Sequence, residues 1–321
     1  VETLTPALIA EAAQFLKGRI LSTPVEASPG LTSALGVPVF LKLECFQLTG
    51  SFKIRGAFFA LSRLRGRDKS AGVLTCSAGN HGLAVAWAAR ELGLRAAVCV
   101  PSSVDAAKRD AIASLGAEVR VSEFPGFDET QDWAVEQARR ESRFFLSAFD
   151  DAAVMAGNGG ALYQEVRAQV PEARVFILPV GGGGLSAGFS FAAKLADPES
   201  VIVGCQHERS PGLKVSLEAG RAITRLPAVD TLAGGLEGGL GAETFEVLRR
   251  RVGRVALASE EELFGGVRWM LENHRVLIEP SAAAPVAACL NRRTGDLPGP
   301  AVVVLSGRNL SVPALRTIFC G

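Results

Sequence analysis

Three histidines serve 321 residues, at positions 81, 207 and 274, and they fall at no spacing that presents a set of metal ligands. The six cysteines, at 45, 76, 99, 205, 289 and 320, include no Cys-x-x-Cys pair. Several sit in apolar runs, where a free thiol behaves as a small hydrophobe; a disulfide framework is not expected, and a reducing cytoplasm is. A dominant charge is missing too. Thirty-four Lys and Arg against 33 Asp and Glu leave a formal +1, with no basic run, which argues against nucleic acid as a partner. No run reaches the roughly 18 apolar residues of a membrane span. The chain opens at Val1 without a charged segment leading into an apolar one, so neither membrane insertion nor secretion is expected. Repeats and low-complexity segments are absent as well.

What is present is apolar and alternating. With 48% hydrophobic and 21% charged residues, the chain can bury one large or two moderate cores. Strand-like runs occupy 38–44, 72–76, 95–100, 117–121, 174–179, 201–206, 253–257 and 300–305. Helical patterns fill the spaces, for example 51–64, 80–92, 105–115, 127–141, 259–273 and 280–291. This alternation predicts an α/β fold with mostly parallel sheets covered by helices. The glycine-rich stretch 212–241 reads as irregular structure.

Four segments carry chemistry. In Thr49-Gly50-Ser51-Phe52-Lys53-Ile54-Arg55-Gly56-Ala57, Lys53 stands among Phe52, Ile54, Ala57, Phe58 and Phe59. An ammonium there loses hydration, and a desolvated lysine is what Schiff-base enzymes use; a lysine snorkelling to the surface is the plainer reading. The apolar run Val175–Val180 leads into Gly181-Gly182-Gly183-Gly184 and then a helical pattern from Leu185 to Leu195. Such a turn lets several N–H groups converge on one anion at a helix N-terminus, and phosphate is the natural occupant. It fits neither GxxxxGK[ST] nor GxGxxG well. Thr75-Cys76-Ser77-Ala78-Gly79-Asn80-His81-Gly82 is a second strand-to-helix corner of small and polar residues, where Asn80 also suits a helix N-cap. Val302–Leu305 runs into Ser306-Gly307-Arg308-Asn309.

Together with Thr23-Pro24-Val25, Phe149-Asp150-Asp151, Ala156-Gly157-Asn158-Gly159, Asp230–Leu236 and Ile278-Glu279-Pro280-Ser281, these segments resemble fold type II (the β-family, tryptophan synthase β-like) of pyridoxal-phosphate enzymes. Within it the chain is similar to the serine/threonine dehydratase and serine racemase group. The resemblance covers nearly the whole chain. It implies pyridoxal 5'-phosphate in a cleft between two domains, a large one of residues 1–64 and 151–321 and a small one of residues 65–150. It further implies Lys53 as the Schiff-base lysine, with Phe52 lining the cofactor face. Asn80 would meet the ring 3-oxygen and Ser306 the pyridine nitrogen. Gly181, Gly182, Gly183, Gly184 and the Leu185 amide would cradle the phosphate, and Ser77, Ala78, Asn80 and His81 would hold the substrate carboxylate. Glu279 matches a glutamate near the cofactor. The implied reaction is β-elimination from L-threonine or L-serine, giving a 2-oxo acid and ammonia. A homodimer or homotetramer is implied, with a small amino acid as the partner. Twelve residues follow Asn309, so no appended regulatory domain is expected.

Departures from the pattern sharpen this. Racemases of the group carry serine where this chain has Ala78, so the second acid/base is missing and elimination is expected over racemisation. Their divalent-cation site begins with a glutamate where this chain has Gln206, followed here by Ser210 and Gly212. A hard cation needs several anionic oxygens, so no tight Mg²⁺ or Ca²⁺ site is expected. Arg308 replaces a small residue and either faces solvent or meets an anion, as a dehydratase for 3-hydroxyaspartate would require. A serine racemase and a cofactor-holding protein without catalysis are the remaining alternatives.

Overall fold

The computed structural model describes residues 3–320, built on two sheets. Six strands, β1 (Val25–Ala27), β2 (Val39–Lys42), β7 (Val175–Pro179), β8 (Val201–His207), β9 (Arg254–Ala258) and β10 (Ala301–Val304), form one sheet in the order β1-β2-β10-β7-β8-β9. Only the β1–β2 pair is antiparallel. The other sheet, all parallel, has the order β5-β4-β3-β6 from β3 (Val73–Cys76), β4 (Ala96–Val100), β5 (Glu118–Val121) and β6 (Phe144–Phe145). All eight expected strands form. The short β1 and β6 were not anticipated, because two or three residues carry no readable period.

The large sheet is buried on both faces, and its strands show why they read as unbroken apolar runs. Val175, Ile177, Ala301 and Val303 point into one core, with Val203 and the alanine-rich helix Pro280–Leu290. Phe176, Leu178, Val302 and Val304 point into the other, with Ile202, Tyr163 and Phe189. Alternation of period two feeds two cores at once. Each fully buried large side chain contributes about 1.5–3 kcal/mol. Within 212–241, the expectation of irregular structure fails for Gly212–Ala219, which is a helix closed by Gly220 at φ +66°.

Two features fix the helix Lys53–Ser62. Beneath it lies a buried charge cluster. Arg55 donates to both oxygens of Glu44 (Nε to Oε2 at 2.7 Å, Nη2 to Oε1 at 2.8 Å) and to Glu165 Oε2 at 3.1 Å. Lys42 Nζ donates to Glu165, to the Thr23 carbonyl at 2.7 Å and to Gln169 Oε1 at 2.8 Å. Arg55 and Lys42 outweigh the cost of burying Glu44 and hold its carboxyl below the usual range, while burial pulls the Lys42 ammonium down. Beside the helix runs a π-helical turn, Ala156–Ala161, where Asn158 Oδ1 accepts from Gly56 N at 2.8 Å. The same turn presses on the helix Gly184–Ala196: a Cβ at Gly159 would lie 2.0 Å from the Leu185 carbonyl oxygen, and one at Gly188 would lie 1.9 Å from that of Met155. Backbone-to-backbone contact thus couples the start of one helix to the start of the other.

Candidate active site

The turns that follow β2 and β10 meet the turn that follows β3, the place where open parallel sheets gather ligand contacts. Lys53 is the first residue of its helix. Its Nζ donates to the Ala148 carbonyl at 2.8 Å and lies 5.3 Å from the Phe52 ring centre. Burial pulls the amine down to about 8, with Glu279 opposing. The segment before it is stitched to the turn after β10: Phe52 N donates to the Ser306 carbonyl at 3.0 Å, Arg308 N to that of Gly50 at 2.9 Å, and Ser51 bridges Gly307. Ser306 is buried, and its hydroxyl makes no hydrogen bond to the described residues.

Asn80 joins this assembly from the small sheet. The helix Asn80–Glu91 has Gly79 at its N-cap, so the capping role open to Asn80 in sequence is not the one it takes. Its Nδ2 donates to Glu279 Oε1 at 2.7 Å, and its Oδ1 accepts from Asn309 Nδ2 at 2.6 Å. Asn309 also donates through Nδ2 to the Thr49 carbonyl at 2.8 Å and through its amide to Glu279 Oε2 at 3.1 Å. Burial pushes the Glu279 carboxyl up to about 7 against the pull of Asn80, the Asn309 amide, Lys108 and Lys53. Asn309, a bridge between Thr49, Asn80 and Glu279, had no role assigned from sequence. Its place in Ser306-Gly307-Arg308-Asn309 was the only signal.

The glycine turn packs against Phe149, Gly235 and Thr244. Gly183 has φ +96°, open to glycine alone. A Cβ at Gly181 would stand 2.1 Å from the Gly235 carbonyl oxygen, and one at Gly182 would stand 2.3 Å from the Phe149 ring. No side chain caps the helix Gly184–Ala196, and among the described residues the amides of Gly181 through Ser186 donate to no protein acceptor. These amides, at a helix N-terminus, are free to bind an anion. The turn is tied back to the lysine's anchor. Thr244 Oγ1 donates to the Gly182 carbonyl at 2.8 Å, and Asp150 Oδ1 accepts from Glu243 N and Thr244 N at 2.9 and 3.0 Å.

Ser77, Ala78 and Asn80 are half-buried at the end of β3, and Ser77 Oγ accepts from Gly79 N at 3.2 Å. His81 differs. Its ring is buried, neither nitrogen meets hydrogen-bond geometry with a partner among the described residues, and burial together with nearby Lys53 outweighs the Leu146 backbone and holds it down to about 3, so it is neutral. The ring therefore brings no charge to a carboxylate. Arg308 is exposed, with its guanidinium 5.0 Å from the Phe46 ring centre. Gln206 is buried, and its amide is engaged by protein on both sides, by Val180, Leu213 and Lys214.

A family model described as "Pyridoxal-phosphate dependent enzyme" matches residues 16–307. The L-threonine ammonia-lyase of Geobacter sulfurreducens is 37% identical over 312 residues, covering 97% of this chain and 77% of the relative. Among solved structures, maize serine racemase superimposes with a TM-score of 0.92 at 29% identity, covering 98% of this chain and 97% of that one. The T.th. threonine deaminase does so with a TM-score of 0.87 at 34% identity, covering 96% and 99%.

Proposed function

The chain belongs to the pyridoxal-phosphate dependent enzymes, and we propose that within that family it removes water and then ammonia from L-threonine or L-serine. The observation that carries this is Lys53, an amine brought down to about 8 and bonded to the Ala148 carbonyl, next to Phe149, against which the glycine turn packs. The residues suit the cofactor. Free amides at Gly181–Leu185 match a phosphate, the unengaged Ser306 hydroxyl matches a ring nitrogen, and Asn80 keeps a second N–H for a ring oxygen. Lys53 would hold the cofactor covalently, with Phe52 against its face. When bound, the cofactor supplies the sink for the electron pair left at the substrate Cα.

The chain's own groups do the rest. Lys53 Nζ, pulled by burial to about 8 so that its neutral form is far more accessible than an ordinary lysine's, removes the Cα proton and holds it. Ser77, Ala78 and Asn80, with the backbone N–H groups at the start of the helix Asn80–Glu91, orient the substrate carboxylate. A hydroxyl at Ser306, unlike a carboxylate, would not hold a proton on a ring nitrogen, so a cofactor seated there would be a weaker electron sink, which suits elimination of the β-hydroxyl. Ala78 offers no acid on the opposite side, which disfavours return of the proton with inverted configuration. The likeness to maize serine racemase makes racemisation the second reading. Chiral analysis of amino acid recovered from L-serine separates the two.

We also propose the division into residues 1–64 with 151–321 and residues 65–150, which agrees with the two separate sheets. Cytoplasmic residence is supported by six free cysteines, five of them buried. Among the described residues no helix is long and apolar enough to cross a membrane. Assembly as a homodimer or homotetramer follows the family resemblance and is read by sedimentation. The deciding experiment is 2-oxo acid release from a panel of L- and D-β-hydroxy amino acids by the wild type and Lys53→Ala. Turnover should vanish in the variant, and a residual rate above a few per cent would sink the assignment, as would borohydride labelling of any other lysine.

A further inference from the structure

Gln206 lies at the end of β8, with the glycine turn on one side and the helix Gly212–Ala219 on the other. It is 1% exposed, and every contact of its amide is to backbone. Nε2 donates to the Val180 carbonyl at 3.2 Å, while Oε1 accepts from Leu213 N at 3.0 Å and Lys214 N at 3.1 Å. The helix Gly212–Ala219 has no side-chain cap of its own, so Gln206 satisfies two of its first amides from a neighbouring strand. The fit is close. Two residues earlier on β8, a Cβ at Gly204 would meet Val180 Cγ2 at 3.1 Å and Leu213 Cδ2 at 3.2 Å.

The consequence runs through one peptide plane. The Val180 carbonyl and the Gly181 N–H belong to the same planar trans unit and point in opposite directions. A donor that fixes the carbonyl therefore fixes the aim of the first N–H in the anion turn. Val180 N, bonded to the Cys205 carbonyl at 2.8 Å, holds the preceding plane, and glycines follow, which would otherwise leave the Val180–Gly181 plane free to rotate. On the far side of the turn the Gly235 carbonyl presses on Gly181. Gly238 N, in the same loop, donates to Ser210 Oγ at 3.0 Å, beside the helix that Gln206 caps.

We propose that Gln206 is a positioning residue for the cofactor's phosphate, acting through the Val180–Gly181 peptide. This rests on the cofactor reading above and predicts a defect selective for the phosphate. The test dialyses holoenzyme of the wild type, Gln206→Leu and Gln206→Glu against graded pyridoxal 5'-phosphate or pyridoxal, reading bound cofactor by absorbance. Gln206→Leu should weaken pyridoxal 5'-phosphate by about tenfold or more, roughly 1.4 kcal/mol. Pyridoxal, which lacks the phosphate, should change by less than about twofold, and the bound ³¹P resonance should shift. Gln206→Glu keeps the acceptor for Leu213 and Lys214 but sets an oxygen against the Val180 carbonyl. Its deficit relative to the wild type at the same pH should shrink from about pH 8.5 to about pH 6, as the buried carboxyl takes up a proton and donates again. Equal losses for both ligands, or an unchanged phosphate affinity, would overturn the proposal. Should Gln206→Leu fail to fold, the Gln206→Glu pair decides: a flat pH response or an equal loss of pyridoxal rejects it. A wild type that bound neither ligand would refute the cofactor reading itself.

Discussion

The buried cluster under the Lys53 helix contains two cations and two anions, so its stability depends on keeping the count even. Glu165→Gln preserves shape and removes one negative charge. Lys42, Arg55 and Glu44, exposed by 0%, 2% and 0%, are then left with a net +1. Breaking a buried pair in this way costs about 3–5 kcal/mol, and the 19% exposure of Glu165 favours the lower end. With unfolding entropy near 2.1 cal/mol/K per residue, 321 residues give about 0.7 kcal/mol/K, so a loss of about 3 kcal/mol lowers Tm by about 4 °C. Adding Lys42→Met removes the surplus cation and leaves the Arg55–Glu44 pair intact. The double variant should therefore be more stable than either single one, with a coupling energy of about 1–3 kcal/mol. The pH response has a definite sign. Burial already lowers the Lys42 amine, and losing Glu165 lowers it further. The unfolded chain then holds a proton that the folded one sheds, and stability of Glu165→Gln relative to the wild type rises as pH climbs toward the ordinary lysine value. Calorimetry on the four proteins of the cycle provides the check. Additive losses, or a Glu165→Gln protein melting within about 1 °C of the wild type, would refute the charge-balance argument.

Three further outcomes are expected. Cofactor uptake by the cofactor-free protein needs the neutral Lys53 amine, so its rate should rise about tenfold per pH unit well below 8 and level off above it; a flat profile would contradict the lowered amine. Gly183→Ala must hold a Cβ at φ +96° within 2.9 Å of Thr244, and should cost about 1–2 kcal/mol or more in denaturant unfolding along with at least a tenfold loss of phosphate-dependent cofactor affinity. His274→Ala removes a ring that joins Ser28 Oγ at 2.9 Å to Glu26 Oε1 at 2.7 Å, which should cost about 1–3 kcal/mol of stability and leave the KM for L-threonine unchanged.

Apolar runs made the strands legible because both faces of each parallel strand are buried, and four glycines between β7 and a helix pointed to the turn whose amides stay unengaged among the described residues. Lys53 by itself read more readily as a snorkelling surface lysine, and only the company of the other segments singled it out; the structure adds that burial lowers its amine and that the Ala148 carbonyl accepts from it. What escaped was set by contacts across long stretches of chain. Nothing local to Asn309 predicts that it bridges Thr49 and Asn80, 260 and 229 residues away. Asn80 was open to a capping role because Asn favours N-caps, yet Glu279 and Asn309 engage its amide and Gly79 takes the cap. The helix Gly212–Ala219 was hidden by its glycine-rich setting, since its first amides are capped by Gln206 from another strand rather than by a neighbour in sequence.

Strand β10 occurs late in the chain but in the middle of its sheet, hydrogen-bonded to β2 on one side and β7 on the other. During synthesis, the first 300 residues can build the four-stranded sheet and the β7–β8–β9 ladder, but β2 waits unpaired on that flank until the last seam is sewn. The bridge that Asn309 makes to Thr49, Asn80 and Glu279 cannot precede that moment, because Asn309 emerges just behind the keystone. A ribosome paused shortly before this point would display a long, apolar nascent chain with no completed pocket, and chaperone dependence should peak there.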